Sequence, residues 1–145
     1  MELLCPAGNK ESLIAAINSG ADAIYLSGKK FGARAFATNF SNEELKEAIR
    51  IGKIYGVKIY VTMNTLIKEN EIDEFLSQVE FLYSNGVDAI LMQDFGMICL
   101  CLKKYPNLEI HASTQAHNSS LQGIDFLYKL GVKRVVLPRE MSLDE

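Results

Sequence analysis

Gly20-Ala-Asp-Ala-Ile-Tyr-Leu-Ser-Gly-Lys-Lys-Phe-Gly-Ala-Arg-Ala-Phe-Ala-Thr-Asn39 joins a helix stop, a short strand and a polar loop in one run. Gly20 is placed to end a helix in the left-handed conformation that glycine adopts at little cost. Residues 23–26 are short, apolar and partly β-branched or aromatic, as a strand covered on both faces should be. Past Ser27 and Gly28 come Lys29, Lys30, Arg34 and Asn39, a cluster of donors and positive charge beyond the carboxyl end of the strand. The unit recurs at Gly56-Val-Lys-Ile-Tyr60, Gly86-Val-Asp-Ala-Ile-Leu91 and Gly131-Val-Lys-Arg-Val-Val136. Each copy passes from glycine through valine into an apolar strand.

Working outward, residues 3–5 predict a first strand, and Asn9 can cap a helix whose Leu13, Ile14, Ala16 and Ile17 share one face. Ser41 and Glu44 form a capping box for a second helix that buries Leu45, Ala48 and Ile49. The remaining expectations are strands over 58–64, 89–93, 108–115 and 135–138. Helices alternate with them over 71–85, 95–104 and 119–130, and another helix starts near Met141. Strands alternating with helices imply right-handed crossovers and a parallel sheet.

Two architectures fit that alternation. A doubly wound sheet usually carries a glycine-rich phosphate turn after its first strand, and Cys5-Pro-Ala-Gly-Asn9 is no such motif. Within the strands, polar and apolar residues alternate. Tyr60, Thr62 and Asn64 oppose Ile59, Val61 and Met63; Tyr25 and Ser27 oppose Ile24 and Leu26; His111, Ser113 and Gln115 oppose Ile110, Ala112 and Thr114. One face toward helices and one toward a shared polar interior favours a TIM-type (β/α)8 barrel. A whole barrel takes roughly 250 residues, so this α/β chain of 145 residues is expected to be a single domain, 1–145, forming the amino-terminal part of a larger barrel with about six strands present. Its open edges would invite self-association.

Composition bounds the function. Hydrophobic residues make up 48% and charged residues 23%, enough apolar material for a sizeable core, and the net charge of -3 speaks against wrapping nucleic acid by bulk positive charge. No signal peptide, membrane span or disulfide framework is expected from the apolar runs and the three cysteines, so the expected compartment is the cytoplasm. Cys99 and Cys101 point apart on a helix, and no metal site is expected.

The candidate site gathers at the carboxyl ends of the strands. His111, Ser113, Gln115 and Asn64 are the candidate catalytic groups, and Arg34, Arg139, Tyr25, Ser27 and Asp94 the candidate substrate-binding ones. So many hydrogen-bonding groups at strand ends call for a ligand or water. The arginine forks match a carboxylate or phosphate, so a small anionic co-substrate is expected unless Asp94 or Glu140 pairs with them. No G-x-S-x-G elbow accompanies Ser113 and His111.

Glu2-Leu-Leu-Cys-Pro-Ala-Gly-Asn9, Gly20-Ala-Asp-Ala-Ile-Tyr25, Phe31-Gly-Ala-Arg34, Tyr60-Val-Thr-Met-Asn64, Gly86-Val-Asp-Ala-Ile90, His111-Ala-Ser-Thr-Gln115 and Val136-Leu-Pro-Arg-Glu140 together resemble the amino-terminal region of the collagenase-like peptidases, peptidase family U32. The resemblance implies a TIM-like barrel and a peptidase label. It also implies an alternative, because bacterial members are linked to hydroxylation of transfer or ribosomal RNA with an iron–sulfur cluster whose cysteines lie beyond the sixth strand. A protein or an RNA substrate follows from one reading or the other. A scaffold piece without activity of its own is the third reading.

Overall fold

The computed structural model describes residues 1–34, 38–142 and 144. Its elements are β1 (Leu4–Pro6), α1 (Lys10–Asn18), β2 (Ala23–Ser27), α2 (Asn42–Tyr55), β3 (Lys58–Met63), α3 (Ile72–Ser84), β4 (Ala89–Met92), α4 (Phe95–Lys104), β5 (Glu109–Ala112), α5 (Leu121–Leu130) and β6 (Arg134–Val135). Short 3-10 turns cover Glu69–Glu71 and Thr114–Ala116. The six strands lie in the order β1-β2-β3-β4-β5-β6, and every neighbouring pair is parallel. The order never reverses, which excludes a doubly wound sheet. The sheet curls into part of a barrel with the helices outside.

Local chemistry explains where the elements begin and end. The Asn9 side chain accepts from the Ser12 amide at 2.8 Å to open α1, and both arms of the Ser41–Glu44 box are made at α2. Gly20, Gly56, Gly86 and Gly131 all hold positive φ between a helix and the next strand. In the strands, Ile24, Leu26, Ile59, Val61, Met63, Ile90, Met92, Ile110 and Ala112 join the main core under the helices. On the concave side Ala23, Tyr60 and Ala89 form a second, smaller cluster against Leu4, Tyr25 and Leu91.

The aspartate of the repeated unit has a job the periodicity does not announce. Asp22 accepts the Leu3 amide at 2.7 Å, and Asp88 accepts the Ile59 amide at 2.7 Å. In each case a carboxylate ahead of one strand pins the start of the preceding strand. Asp88→Ala is expected to lower stability by about 1 kcal/mol, the low end for an orphaned backbone donor because Asp88 is exposed. Urea denaturation measures it, and an unchanged midpoint would mean water replaces the carboxylate without loss.

Two strands end more than one residue away from the sequence reading, and the others differ by a single residue. β5 stops at Ala112 instead of running to Gln115, because the Ser113 side chain accepts the Gln115 amide and caps the 3-10 turn. β6 covers Arg134–Val135 and not 135–138, although the Val136 amide still reaches the Ala112 carbonyl at 2.9 Å. Pro138 has no amide to continue that ladder. The helix expected near Met141 runs into Leu143 and Glu145, outside the described residues.

Candidate functional site

Parallel register sets the concave face in rows. Tyr25, Tyr60, Ala89 and Glu109 are partners across β2 to β5, and Ser27, Thr62, Leu91, His111 and Arg134 across β2 to β6. A charged and aromatic network joins these two rows. Tyr60 is 1% exposed. Its hydroxyl donates to Glu2 Oε2 at 3.1 Å, and its ring meets His111 edge to face at 4.8 Å. The Arg134 guanidinium lies 5.4 Å from the Tyr60 ring centre and donates to Glu2 at 2.5 and 3.3 Å. This fork ties the residue ahead of the first strand to the last strand. Lys58 stands 4.0 Å from the same carboxylate.

The network sets its own protonation states. The hydrogen bond from Arg134 holds the Glu2 carboxyl below its usual range, and the same bond raises Arg134. Burial pushes the Tyr60 hydroxyl up to about 12. His111 lies 2.8 Å from Glu109 Oε1 through Nε2. Glu109 favours the imidazolium, yet burial of the ring outweighs it and lowers the His111 pKa. The neutral ring then carries its proton on Nε2 and donates to Glu109.

The signs give a pH dependence. Between the unfolded histidine value of 6.5 and the depressed folded value of His111, the unfolded chain binds more protons, so stability falls as pH drops through that window. Glu2 adds a second loss as pH falls below 4.5 toward its own lowered value. Thermal melts across pH 7.5 to about 3 are expected to show both declines, and His111→Gln should flatten the first alone. A melting temperature level through the first window would refute the burial assignment.

The upper part of the concave face is a web of loop anchors. Asn64 Oδ1 accepts the Ala33 amide at 3.1 Å, and its Nδ2 donates to Ser113 Oγ at 3.2 Å. Ser113 is 3% exposed, and its Oγ also accepts the Gln115 amide at 3.3 Å. The Ser27 hydroxyl donates to the Gly28 carbonyl at 3.1 Å, and Tyr25 packs half-buried against the concave cluster. Asp94 has both oxygens engaged: Oδ1 takes the Met97 amide at 3.1 Å and caps α4, while Oδ2 takes the Ile67 amide at 3.2 Å. Asp94, read from the sequence as a substrate-binding group, stands directly ahead of a helical run, which is also the place of a helix cap.

The structure therefore brings Asn64 and Ser113 together and sets His111 beside Tyr60. It does not join Ser113 to His111, and Gln115 has left the strand for the turn. Arg34 and Arg139 are exposed, and neither guanidinium makes an ion pair among the described residues. Sequence reasoning missed Glu2, Glu109 and Arg134. A charge inside an apolar strand, as in Lys133-Arg-Val-Val136, was the available signal for Arg134. A separate cavity of about 480 Å³ lies outside the concave face, between the β2–α2 loop and α3, and is lined by Lys29, Lys30, Asn42, Gln78 and Phe81.

Among the described residues no group of three or more His, Cys, Asp or Glu side chains could hold a metal ion. Cys5 lies on β1 and the other two cysteines on α4. Burial pushes the Cys101 thiol up to about 12, against the thiolate a metal needs. The residues present do not fit an iron–sulfur cluster. No helix among the described residues is long and apolar enough to cross a membrane.

The chain is 40% identical over 141 residues to "tRNA hydroxylation protein P1" of Bacillus subtilis, covering 97% of this chain and 33% of that protein. It is 39% identical over 145 residues to "23S rRNA 5-hydroxycytidine C2501 synthase" of Escherichia coli, covering 100% of this chain and 22% of that one. The chain thus spans a third or less of the length of these relatives. The solved structure of the U32 peptidase Mk0906 superposes with a TM-score of 0.78 over 94% of this chain and 58% of the other, at 13% identity, a likeness of fold. The profile described as "Peptidase family U32" matches residues 8–145. With six parallel strands in sequential order and a match across nearly its whole length, the chain belongs to peptidase family U32.

Proposed function

We propose that this chain serves as the amino-terminal part of a barrel that hydroxylates RNA bases, and that it does not hydrolyse peptides. The observation that carries the reading is the separation of Ser113 from His111. The serine hydroxyl is occupied by Asn64 and the Gln115 amide, while the histidine donates to Glu109 one row below. Nucleophilic catalysis by serine needs the base bonded to the hydroxyl. The names of the Bacillus subtilis and Escherichia coli relatives support the RNA reading.

In this proposal Arg34 and Arg139 receive a phosphate or a small carboxylate co-substrate, the task suited to unpaired guanidinium forks. An iron–sulfur cluster, where the reaction uses one, is held by residues other than these. The compartment is the cytoplasm. The free edges of β1 and β6 pair with further strands or with a second copy.

The test is a chimera in which this chain replaces the matching third of the Bacillus subtilis protein, expressed in a strain lacking that protein. Mass spectrometry of digested tRNA is expected to show the hydroxylated nucleoside restored, and the purified chimera should leave gelatin uncut. A folded chimera that cuts gelatin and leaves tRNA unmodified would reverse the reading.

A further inference from the structure

We propose that Asn64 is a positioning residue: its side-chain amide ties the β2–α2 loop to the β5–α5 loop and so sets where Arg34 and His117 stand at the barrel mouth. The inference rests on Arg34 receiving an anionic group at the carboxyl ends of the strands, as proposed above.

Asn64 follows β3, and its amide is used at both ends. It accepts from the Ala33 backbone, one residue before Arg34, and donates to Ser113, which caps the turn leading to His117. The acceptor oxygen and donor nitrogen of one planar amide make the two bonds from separate atoms, which an aliphatic side chain cannot do. The link joins residues 31 and 49 positions away from Asn64 on either side.

Both tied loops are strained, and among the described residues they alone contain non-glycine positive φ. Phe31 sits at φ 63 and His117 at φ 50. Such backbone persists only where its surroundings over-determine it. Around Phe31 they do: Thr65 Oγ1 donates to its carbonyl at 3.3 Å, and its ring packs edge to face on Phe75 at 5.4 Å. A Cβ on the following Gly32 would lie 2.0 Å from Ser27 Oγ, so the loop is pressed against the end of β2. Around His117, its amide reaches the Thr114 carbonyl at 3.1 Å, the Ala116 amide reaches that of Ser113 at 2.9 Å, and Asn118 Nδ2 reaches that of Ala116 at 3.1 Å.

The strain is stored next to side chains that the fold does not use. Arg34 and His117 are exposed, and neither side chain has a hydrogen-bond or ion-pair partner among the described residues. One offers a fork for an anion and the other an imidazole that can take or give a proton. Their placement through Asn64 sets the spacing of these two functions.

Amide shifts of the isotope-labelled 145-residue chain test the coupling without RNA or activity, so the result stands apart from the hydroxylation experiment. Ser113→Ala is expected to move the Ala33 and Arg34 amides, although serine touches neither. In an Asn64→Ala background the same change should leave them still. Asn64→Asp, which can accept from both Ala33 and the serine hydroxyl, should restore the response. Equal shifts at Ala33 in both backgrounds, or none in the parent chain, would overturn the proposal. If Asn64→Ala does not fold, the Asn64→Asp and Asn64→Leu pair decides it by the same readout.

Discussion

Tyr60→Ala is expected to lower the unfolding free energy by about 3–5 kcal/mol, the range for removing a large buried ring. Tyr60 sits at the centre of the concave network with 1% of its surface exposed. The ring supports Arg134 on one side and the edge of His111 on another, and the hydroxyl reaches Glu2. Truncation leaves a void between three charged or polar groups, and collapse would bring Arg134 toward a poorly solvated interior. Tyr60→Phe keeps the ring and loses only the bond to Glu2, so its cost is expected to be about 1 kcal/mol. Urea denaturation of the two variants separates the packing role from the hydroxyl. A loss below about 1 kcal/mol for alanine would show that water fills the space at little cost.

Gly52→Ala is the second large effect, with an expected loss of about 1–3 kcal/mol from overpacking. Gly52 is buried in α2, where the helix crosses β3. A Cβ there would lie 2.5 Å from Ile59 Cγ1 and 2.6 Å from the Val57 carbonyl oxygen. The second obstacle is backbone, and it is locked, because the Val57 amide already bonds the Gly52 carbonyl at 2.9 Å. Alanine gains up to about 1 kcal/mol of helix propensity over glycine, and the clash exceeds it. Gly123 provides the control. Its nearest obstacle is the side-chain oxygen of Asn118 at 2.5 Å, which can move aside by giving up its bond to the Ala116 carbonyl, so Gly123→Ala should cost about 1 kcal/mol or less. If Gly52→Ala proves as stable as the parent, α2 must be able to lift from β3.

The barrel was legible because its signals are local. A positive-φ glycine, a valine and an apolar strand repeat along the chain, and the polar alternation of Tyr60, Thr62 and Asn64 distinguished a shared interior from a sheet sandwiched by helices. The end of β5 was not legible. Ser113 continues the alternation of His111 but also suits a turn cap, and the competition between the two is settled by contacts with Asn64 and the Gln115 amide. Asp94 was read as a ligand group, and its role as the cap of α4 was not, because a capping aspartate and a binding aspartate look alike in sequence. Glu2 and Arg134 lie 132 positions apart, and no periodicity relates them. Long-range electrostatics of that kind becomes visible only when the fold brings the ends together.

Strand neighbours in this sheet are always chain neighbours, and that has a kinetic consequence. Each new strand can dock on the one just laid down, so the sheet can grow from its amino-terminal edge while the chain is still being synthesised. Every such addition closes a loop of a single βα unit, and the entropic cost rises only slowly with loop length. The Glu2–Arg134 fork differs in kind, since it needs all six strands in place. It should therefore be absent from the folding transition state. Glu2→Gln is expected to hasten unfolding in stopped-flow measurements while leaving the folding limb in place, so the fork acts as a latch on the six assembled strands and not as a guide to their assembly.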